Sequence, residues 1–316
     1  MDRPAPAPVP FGDRLASAVA RRESQIVLGL DPDPARLWAP EPGPGRPLEA
    51  STGADPAEAA GRAVASHCRR VIAAAGPACV AVKPQLACFE RLGAPGWRAL
   101  GVAVATARER GLLVLADGKR GDVPVSASAY AQALVGATAT IDAEVAGLGV
   151  DALTANPLLG TDSLEPLILG ARARGSGVFV LVRTSNPGAA DLLDLPLATG
   201  GTLWERIAEL VDELGKPSRG AVSGLSDVGA VTGATAPEHL ERMRELMPST
   251  PFLLPGVGAQ GGNVGALAAA FHPGRAAGLV TASRSIVNAH KSAGSSPATA
   301  ARREAERLRE LAWSLG

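Results

Sequence analysis

Four charged residues have the types and the spacing to act together on an anionic substrate. Asp117 and Lys119 lie two positions apart at the end of an apolar run, so their side chains share one direction if a strand persists there. Asp122 follows in a glycine-containing loop, and Lys83 ends another apolar run. We expect an alternating array of carboxylates and ammonium groups, in which Lys119 serves as an acid and Asp117 faces the substrate. A neutral salt-bridge network that closes the top of a barrel is the alternative.

A glycine-rich stretch nearer the carboxyl end has the composition of a phosphate site. Residues 256–261 match the dinucleotide fingerprint GxGxxG, but no acidic residue occurs over 262–282, where the ribose-binding carboxylate belongs. We therefore favour a phosphate site made by backbone N–H groups of this loop and of a helix start after the last strand. Arg284 would add a charge-assisted contact, and Gln260 would close over the same group.

Eight short apolar runs, separated by helix-like segments rich in Ala, Glu, Arg and Leu, must position these residues. The predicted strands are 26–30, 79–83, 112–117, 151–154, 178–183, 228–232, 252–254 and 279–281. Strands that alternate with helices form a parallel sheet, and continuously apolar strands are buried on both faces. We predict an α/β protein with a single-domain (β/α)8 TIM barrel, with a doubly wound open sheet as the alternative. In such a barrel the active site lies at the carboxyl ends of the strands, where the charged and glycine-rich segments would meet.

The remaining segments predict a tail, a long loop and two helices. Residues 1–10 are rich in proline and alanine and are predicted to be disordered, which leaves 11–316 for the barrel and a C-terminal helix. That helix is predicted over 297–315 from its apolar stripe. Another is predicted over 56–75 behind an N-capping aspartate, after a Pro-rich loop at 39–56.

Charge, cysteines and hydropathy limit the functional class. The chain has 31 acidic and 31 basic residues, which argues against a nucleic-acid partner, because such proteins usually carry a basic excess. The three cysteines have no CxxC spacing, which indicates reduced thiols and a cytoplasmic location. The first residues lack the apolar run of a signal peptide, and no stretch of membrane-spanning length is continuously apolar, so we expect no membrane association.

The motifs together resemble the orotidine 5'-phosphate decarboxylase superfamily, and most closely its longer-chain bacterial branch, type 2. The segment 117–122 matches the DxKxxD signature, which is moderately specific alone and highly specific beside KPQ and PGVGAQGG. The similar segments are LDP at 30–32, VKPQ at 82–85, DGKRGD at 117–122, NPLLG at 156–160, VRTSNPG at 182–188, LPGVGAQGG at 254–262 and SRSI at 283–286. They follow one another in the order that the resemblance requires.

The resemblance implies a homodimeric (β/α)8 enzyme that converts orotidine 5'-monophosphate to UMP and CO2 in de novo pyrimidine biosynthesis, without a metal or an organic cofactor. It implies that Lys119 protonates C6 of the pyrimidine, that Asp117 lies beside the departing carboxylate, and that Asp122 reaches into the partner subunit's site. Lys83 belongs to the same array. Loss of CO2 leaves a carbanion that the ring delocalises poorly, so a fixed ammonium group must stabilise the developing charge.

The resemblance also implies a set of substrate contacts and no metal ligand. The set comprises Asp31 for the ribose, Gln260 and Arg284 for the phosphate, Thr154, Asn156 and Ser283 as candidates for the uracil edge, Pro255 at the start of the glycine-rich loop, and Val123 and Ser126 from the partner subunit. Lys83 would contact the ribose as well. The flexible glycine-rich segment around Gln260 is the natural lid over the phosphate.

Two other functions are compatible with parts of this pattern. A metal-dependent sugar-phosphate decarboxylase or aldol-type synthase of the same superfamily would share DxKxxD but would carry an acidic residue at the second strand end to help hold magnesium. Here that position is Lys83, which repels a divalent cation. A non-catalytic phosphate-binding barrel would retain ligand binding without turnover.

Overall fold

The eight predicted apolar runs form a closed barrel of parallel strands. In this computed structural model, which describes residues 7–39, 55–258 and 261–316, the strands are β1 (Ile26–Leu30), β2 (Ala81–Pro84), β3 (Leu113–Arg120), β4 (Ala137–Ala139), β5 (Glu144–Ala146), β6 (Ala152–Ala155), β7 (Gly177–Arg183), β8 (Val228–Thr232), β9 (Phe252–Leu254) and β10 (Gly278–Ala282). The barrel order is β1-β10-β9-β8-β7-β6-β3-β2, and β1 pairs with β10, with Ile26 opposite Val280. This closure confirms the single-domain (β/α)8 prediction and rules out the open sheet.

Helices follow most of the barrel strands and cover their outer face. They are α1 (Phe11–Arg22), α2 (Pro56–Ala75), α3 (Leu86–Glu90), α4 (Ala94–Glu109), α5 (Pro124–Leu134), α6 (Thr161–Arg172), α7 (Ala189–Leu192), α8 (Leu203–Gly215), α9 (Leu240–Leu246), α10 (Arg284–Val287), α11 (His290–Ala293) and α12 (Pro297–Trp313). The bounds of α2 are those predicted, and the Asp55 side chain caps it by accepting the N–H of Ala57 at 3.0 Å. The predicted C-terminal helix is also confirmed, although α12 ends two residues early, at Trp313.

Strands β4 and β5 form a short antiparallel hairpin outside the barrel that the sequence interpretation missed. Its strands have three residues each and are almost entirely exposed, so they lack the apolar run by which the barrel strands were recognised. The barrel strands themselves are buried nearly throughout, as β1 and β10 illustrate. Predicted and observed bounds of the barrel strands differ by three residues at most, at the carboxyl end of β3.

Helix α1 closes the amino-terminal mouth of the barrel. Phe11 is fully buried and meets the ring of Phe179 edge-on, with ring centroids 6.0 Å apart. An added Cβ on Gly177, the first residue of β7, would lie 2.5 Å from the Phe11 ring, so only glycine admits this contact. Leu15 and Val19 from the same helix join the cluster that fills this end. Because this mouth is packed with apolar side chains, the opposite, carboxyl-terminal mouth is left for chemistry.

Parts of two predicted segments lie outside the described residues. Residues 1–6 of the predicted disordered tail and residues 40–54 of the predicted Pro-rich loop belong to this group. The described remainder of the tail, residues 7–10, is exposed and precedes α1 without regular structure. In the described parts of the chain, none of the helices combines the length and apolarity needed to cross a membrane.

Candidate active site

Strands β2 and β3 bring Lys83 and Asp117 together at the carboxyl-terminal mouth of the barrel. Both residues are buried, and the ammonium group of Lys83 donates a hydrogen bond to Oδ2 of Asp117. The Gln85 side chain donates to the same oxygen at 3.4 Å. On the other side, the Lys119 ammonium donates to Oδ1 at 2.7 Å, and the Thr154 hydroxyl donates to that oxygen at 2.9 Å. Asp117 is therefore held from both sides by cations and neutral donors.

These donors keep Asp117 ionised. Burial alone would raise its pKa, but the charges of Lys83 and Lys119, with their hydrogen bonds, outweigh burial and lower the pKa from 3.8 to about 2. A carboxylate in this state is a fixed negative charge beside two positive ones. Without substrate the three groups therefore carry one net positive charge, which suits an anionic ligand, and their hydrogen bonds set the geometry before a ligand enters.

Lys119 stands where the strand geometry of β3 breaks. Its φ is +48°, one of two positive values among the described non-glycine residues, and its N–H donates to the Thr154 hydroxyl at 2.9 Å. The pairing of β3 with β6 shifts register between Ala116 and Arg120, which spans this residue. Unlike Asp117, the Lys119 side chain is 42% exposed, so its ammonium group is accessible to a ligand. The left-handed turn, rather than a continuous strand, thus returns the ammonium to the carboxylate.

A cavity of about 620 Å³ opens above this array. It is lined by eight residues predicted for the site, namely Asp31, Lys83, Asp117, Lys119, Thr154, Pro255, Ser283 and Arg284. A mononucleotide-sized ligand fits a cavity of this volume, because small-molecule sites commonly measure roughly 300–1,000 Å³. Arg284 adds a third cationic group to the lining, after Lys83 and Lys119.

Another part of the cavity lining comes from the loop after β9 and the start of α10. Gly256 and Gly258 have φ values of +105° and +74°, a left-handed conformation that glycine adopts at low cost. Helix α10 begins at Arg284, directly after β10 and Ser283, as predicted for a phosphate site. The glycine-rich loop, however, leads into a 3₁₀ turn at Val264–Ala266 and not into the α-helix that follows such a loop in a dinucleotide-binding fold. This departs from the dinucleotide-binding fold, while the phosphate site itself stays a prediction.

Comparisons with known proteins identify the family. The model described as the orotidine 5'-phosphate decarboxylase / HUMPS family matches residues 24–305. This chain belongs to that family. It is 41% identical over 281 residues to the orotidine 5'-phosphate decarboxylase of Rhodopirellula baltica, with 89% of each chain covered.

Solved structures of the decarboxylase family have the same fold. The OMP decarboxylase of Leishmania donovani superimposes with a TM-score of 0.69 at 30% identity, covering 96% of this chain and 99% of that one. The UMP synthase of the same organism also gives 0.69, at 32% identity and 96% coverage of this chain. This chain spans 57% of the length of that synthase structure.

Four residues that the family resemblance assigned to the site lie outside the cavity lining of the single chain, namely Asp122, Val123, Ser126 and Asn156. Asp122 accepts the N–H of Val123 at 2.7 Å, and Val123 is 56% exposed in front of α5. Asn156 accepts the N–H of Leu158 at 3.1 Å and thereby shapes the loop after β6. Gln260 lies outside the described residues.

The cavity also contains residues to which the sequence interpretation gave no role. These are Gln85, Cys88, Leu181, Thr184, Ser185, Asn186, Val231, Leu253 and Thr281, whereas Gly256 and Val257 belong to the predicted phosphate loop. The family segments VKPQ and VRTSNPG contained the polar ones at 85 and 184–186, so the motifs were a usable signal for them. Thr281 carried no such signal. Its buried hydroxyl has no hydrogen-bond partner in the described part of the protein and lies in the cavity wall.

The polar groups of this decarboxylase-family site do not form a metal centre in the residues described. Over 7–39, 55–258 and 261–316, no group of three or more His, Cys, Asp or Glu side chains is arranged to hold a metal ion. Asp117, the buried carboxylate of the cavity, already receives both ammonium groups.

Proposed function

We propose that this protein is an orotidine 5'-phosphate decarboxylase that converts orotidine 5'-monophosphate to UMP and CO2 in pyrimidine biosynthesis. The observation that carries the proposal is Asp117, held as a carboxylate between the ammonium groups of Lys83 and Lys119 inside a nucleotide-sized cavity. The 41% identity to a decarboxylase over 89% of both chains supports the same reaction.

The array performs the reaction by electrostatics and one proton transfer. As the C6–CO2 bond breaks, its electron pair stays on C6 and CO2 leaves from a place beside Asp117. The exposed ammonium group of Lys119, fixed by its 2.7 Å hydrogen bond to Asp117, stabilises the developing charge and then donates a proton to C6. Lys83 remains charged and keeps Asp117 ionised throughout. The cations are in place before the substrate binds, so little reorganisation is needed at the moment of reaction.

The rest of the nucleotide extends from the array towards Arg284. Asp31 and Lys83 contact the ribose, and Arg284 holds the phosphate together with the loop of Gly256 and, by family resemblance, Gln260. Binding energy from the remote phosphate helps to organise the charged end, as occurs in enzymes that react at one end of a long substrate. The lid role of the segment around Gln260 is part of this proposal.

The hydrogen bonds and positions of the three candidates reduce the number of residues that can contact the uracil edge. The Thr154 hydroxyl is already committed to Asp117 and to the N–H of Lys119, and Asn156 does not line the cavity. Ser283 does line it, and so does the segment 184–186 after β7. We assign the uracil edge to these two elements.

We further propose a cytoplasmic homodimer in which Asp122, Val123 and Ser126 complete the partner subunit's site. Val123 and Val125 are 56% and 84% exposed beside Asp122, and α5, which follows, contains no charged residue. A surface helix without charges is typical of subunit interfaces, because burial of charges there is costly. The thiols are free, and two of them are buried, which favours a reducing compartment.

The decisive experiment is loss of orotidine 5'-monophosphate absorbance with purified protein, run before and after exhaustive chelation. Full turnover in both samples supports a metal-independent decarboxylase, as the cation at Lys83 predicts. Turnover of a pentulose or hexulose phosphate that requires a divalent metal would replace the proposal with the other enzyme class. A folded protein that binds UMP but turns over neither substrate would be a phosphate-binding barrel.

A further inference from the structure

Trp38 joins the loop that follows β1 to the helix that begins at Arg284. Its indole Nε1–H donates to the carbonyl of Val287, the last residue of α10, at 2.9 Å. The last carbonyls of a helix have no partner within it, so this bond satisfies a group that would otherwise need another donor. The Trp38 side chain is buried, with 5% of its surface exposed, and it does not line the cavity.

Helix α2 holds Trp38 from the other side. The N–H of Trp38 donates to Nδ1 of His67 at 3.1 Å, and the two rings meet edge-on with centroids 5.5 Å apart. Arg70, one turn further along α2, donates to the carbonyl of Trp38. Burial, with the charge of Arg70, lowers the pKa of His67 to about 4, so the ring is neutral near physiological pH and its Nδ1 can accept a hydrogen bond.

The beginning of the same loop is also fixed against its neighbours. The Arg91 guanidinium donates to the carbonyl of Pro32 at 2.6 Å, just after Asp31. On β1, an added Cβ at Gly29 would lie 2.6 Å from the Cβ of Ser283, so the strand end and the residue before Arg284 are in close approach. The segment from Asp31 to Trp38 is thus bonded to the end of α10 through Trp38, and it begins just after the close approach of β1 to Ser283.

We propose that Trp38 is a positioning residue that holds the Asp31 loop and the Arg284 helix in one relative arrangement, so that the ribose and phosphate ends of a nucleotide are bound together. The inference rests on the proposed function in that Asp31 and Arg284 contact the nucleotide. Trp38 acts through these two residues and not by touching the ligand. Because the loop and the helix are already fixed before the nucleotide binds, less conformational entropy is lost on binding.

The test measures UMP binding by calorimetry for Trp38→Phe, which keeps an aromatic ring against His67 and removes the indole N–H. Trp97→Phe, on α4 and 42% exposed, is the matched control. We expect Trp38→Phe to raise the Kd of UMP about fivefold to tenfold, the effect of one lost hydrogen bond, while kcat changes less than about twofold. In an Arg284→Ala background the same substitution should change the Kd by less than about twofold, because the contact it positions is already absent.

His67 supplies a second pair of variants. His67→Asn retains an acceptor for the Trp38 N–H and should stay near wild type, whereas His67→Leu removes it and should follow Trp38→Phe. Equal effects of Trp38→Phe with and without Arg284, or no effect with Arg284 present, would overturn the positioning role. UMP binding can be measured without turnover. If the effect of Trp38→Phe depends on Arg284 in a protein that does not decarboxylate, the positioning role stands and only the proposed function is refuted. Absence of UMP binding by the wild type would overturn both.

Discussion

Thr154 connects the carboxylate of Asp117 to the backbone of Lys119. Its hydroxyl donates to Oδ1 of Asp117 at 2.9 Å and accepts the N–H of Lys119 at 2.9 Å. The side chain is 1% exposed, so water cannot readily replace it. A hydroxyl both accepts and donates, which is why this one group can orient the two residues proposed to be catalytic at once.

We expect Thr154→Val, which keeps the shape and removes the hydroxyl, to lower kcat at least tenfold and to destabilise the fold by about 1–3 kcal/mol. The cause is the buried N–H of Lys119, left without an acceptor. Steady-state kinetics and urea unfolding measure the two effects. Thr154→Ser restores the hydroxyl and should recover most of both. A valine variant with wild-type kcat would show that the hydroxyl does not organise the array.

Removal of Lys119, the proposed proton donor, should separate catalysis from binding. We expect Lys119→Ala to reduce kcat by about a thousandfold or more, because general-acid and electrostatic contributions are lost together. The Kd of UMP should change far less, since the phosphate contacts remain. Lys216→Ala, which removes an exposed lysine paired with Asp212, is the control and should be indistinguishable from wild type. Activity of Lys119→Ala within tenfold of wild type would reject the assignment.

The lowered pKa of Asp117 predicts a pH dependence of stability. A carboxyl whose folded pKa is about 2 and whose unfolded value is 3.8 stabilises the fold above pH 3.8, and that contribution is lost as pH falls towards 2. The shift corresponds to about 2 kcal/mol. Between these pH values the free energy of unfolding of Asp117→Asn should therefore fall less steeply than that of wild type. Asp142→Asn, in the exposed hairpin, should retain the wild-type slope.

Arg284 should matter most for ligands that carry a phosphate. We expect Arg284→Ala to lower kcat/KM for orotidine 5'-monophosphate by about a hundredfold, the effect of removing a charge-assisted contact. Inhibition by UMP should weaken by a similar factor, whereas inhibition by uridine should stay nearly constant. Equal losses for UMP and uridine would place Arg284 away from the phosphate.

Mixed dimers test the shared site. In a mixture of Lys119→Ala and Asp122→Asn proteins, a hybrid dimer would contain one site with an intact Lys119 and an intact Asp122 from the partner subunit. Because random exchange makes half of the dimers hybrid, and each has one of two sites intact, activity should recover to about a quarter of wild type. The activity of each variant alone should remain low. If subunits are shown to exchange and activity still does not recover, Asp122 serves the site of its own chain.

Much of the architecture could be predicted from local patterns. Each barrel strand begins with an apolar run, since both of its faces are covered there, and such runs are visible without knowledge of their neighbours. Helix α2 was predicted at its observed bounds because the cap at Asp55 and the proline after it are local signals. The hairpin of β4 and β5 was missed, since its exposed three-residue strands have no apolar pattern.

By itself, the sequence determined the barrel, and it placed Lys83 and Asp117 at strand ends and Arg284 just after the last strand. The tertiary structure alone decided how these groups meet. The bonds of Thr154 to Asp117 and of Trp38 to Val287 join segments distant in sequence, and the left-handed conformation of Lys119 is adopted where Thr154 accepts its N–H. A hydrogen bond requires its two groups to lie about 3 Å apart. For groups distant in sequence, strand register and helix packing set that distance, and no local sequence pattern reports it.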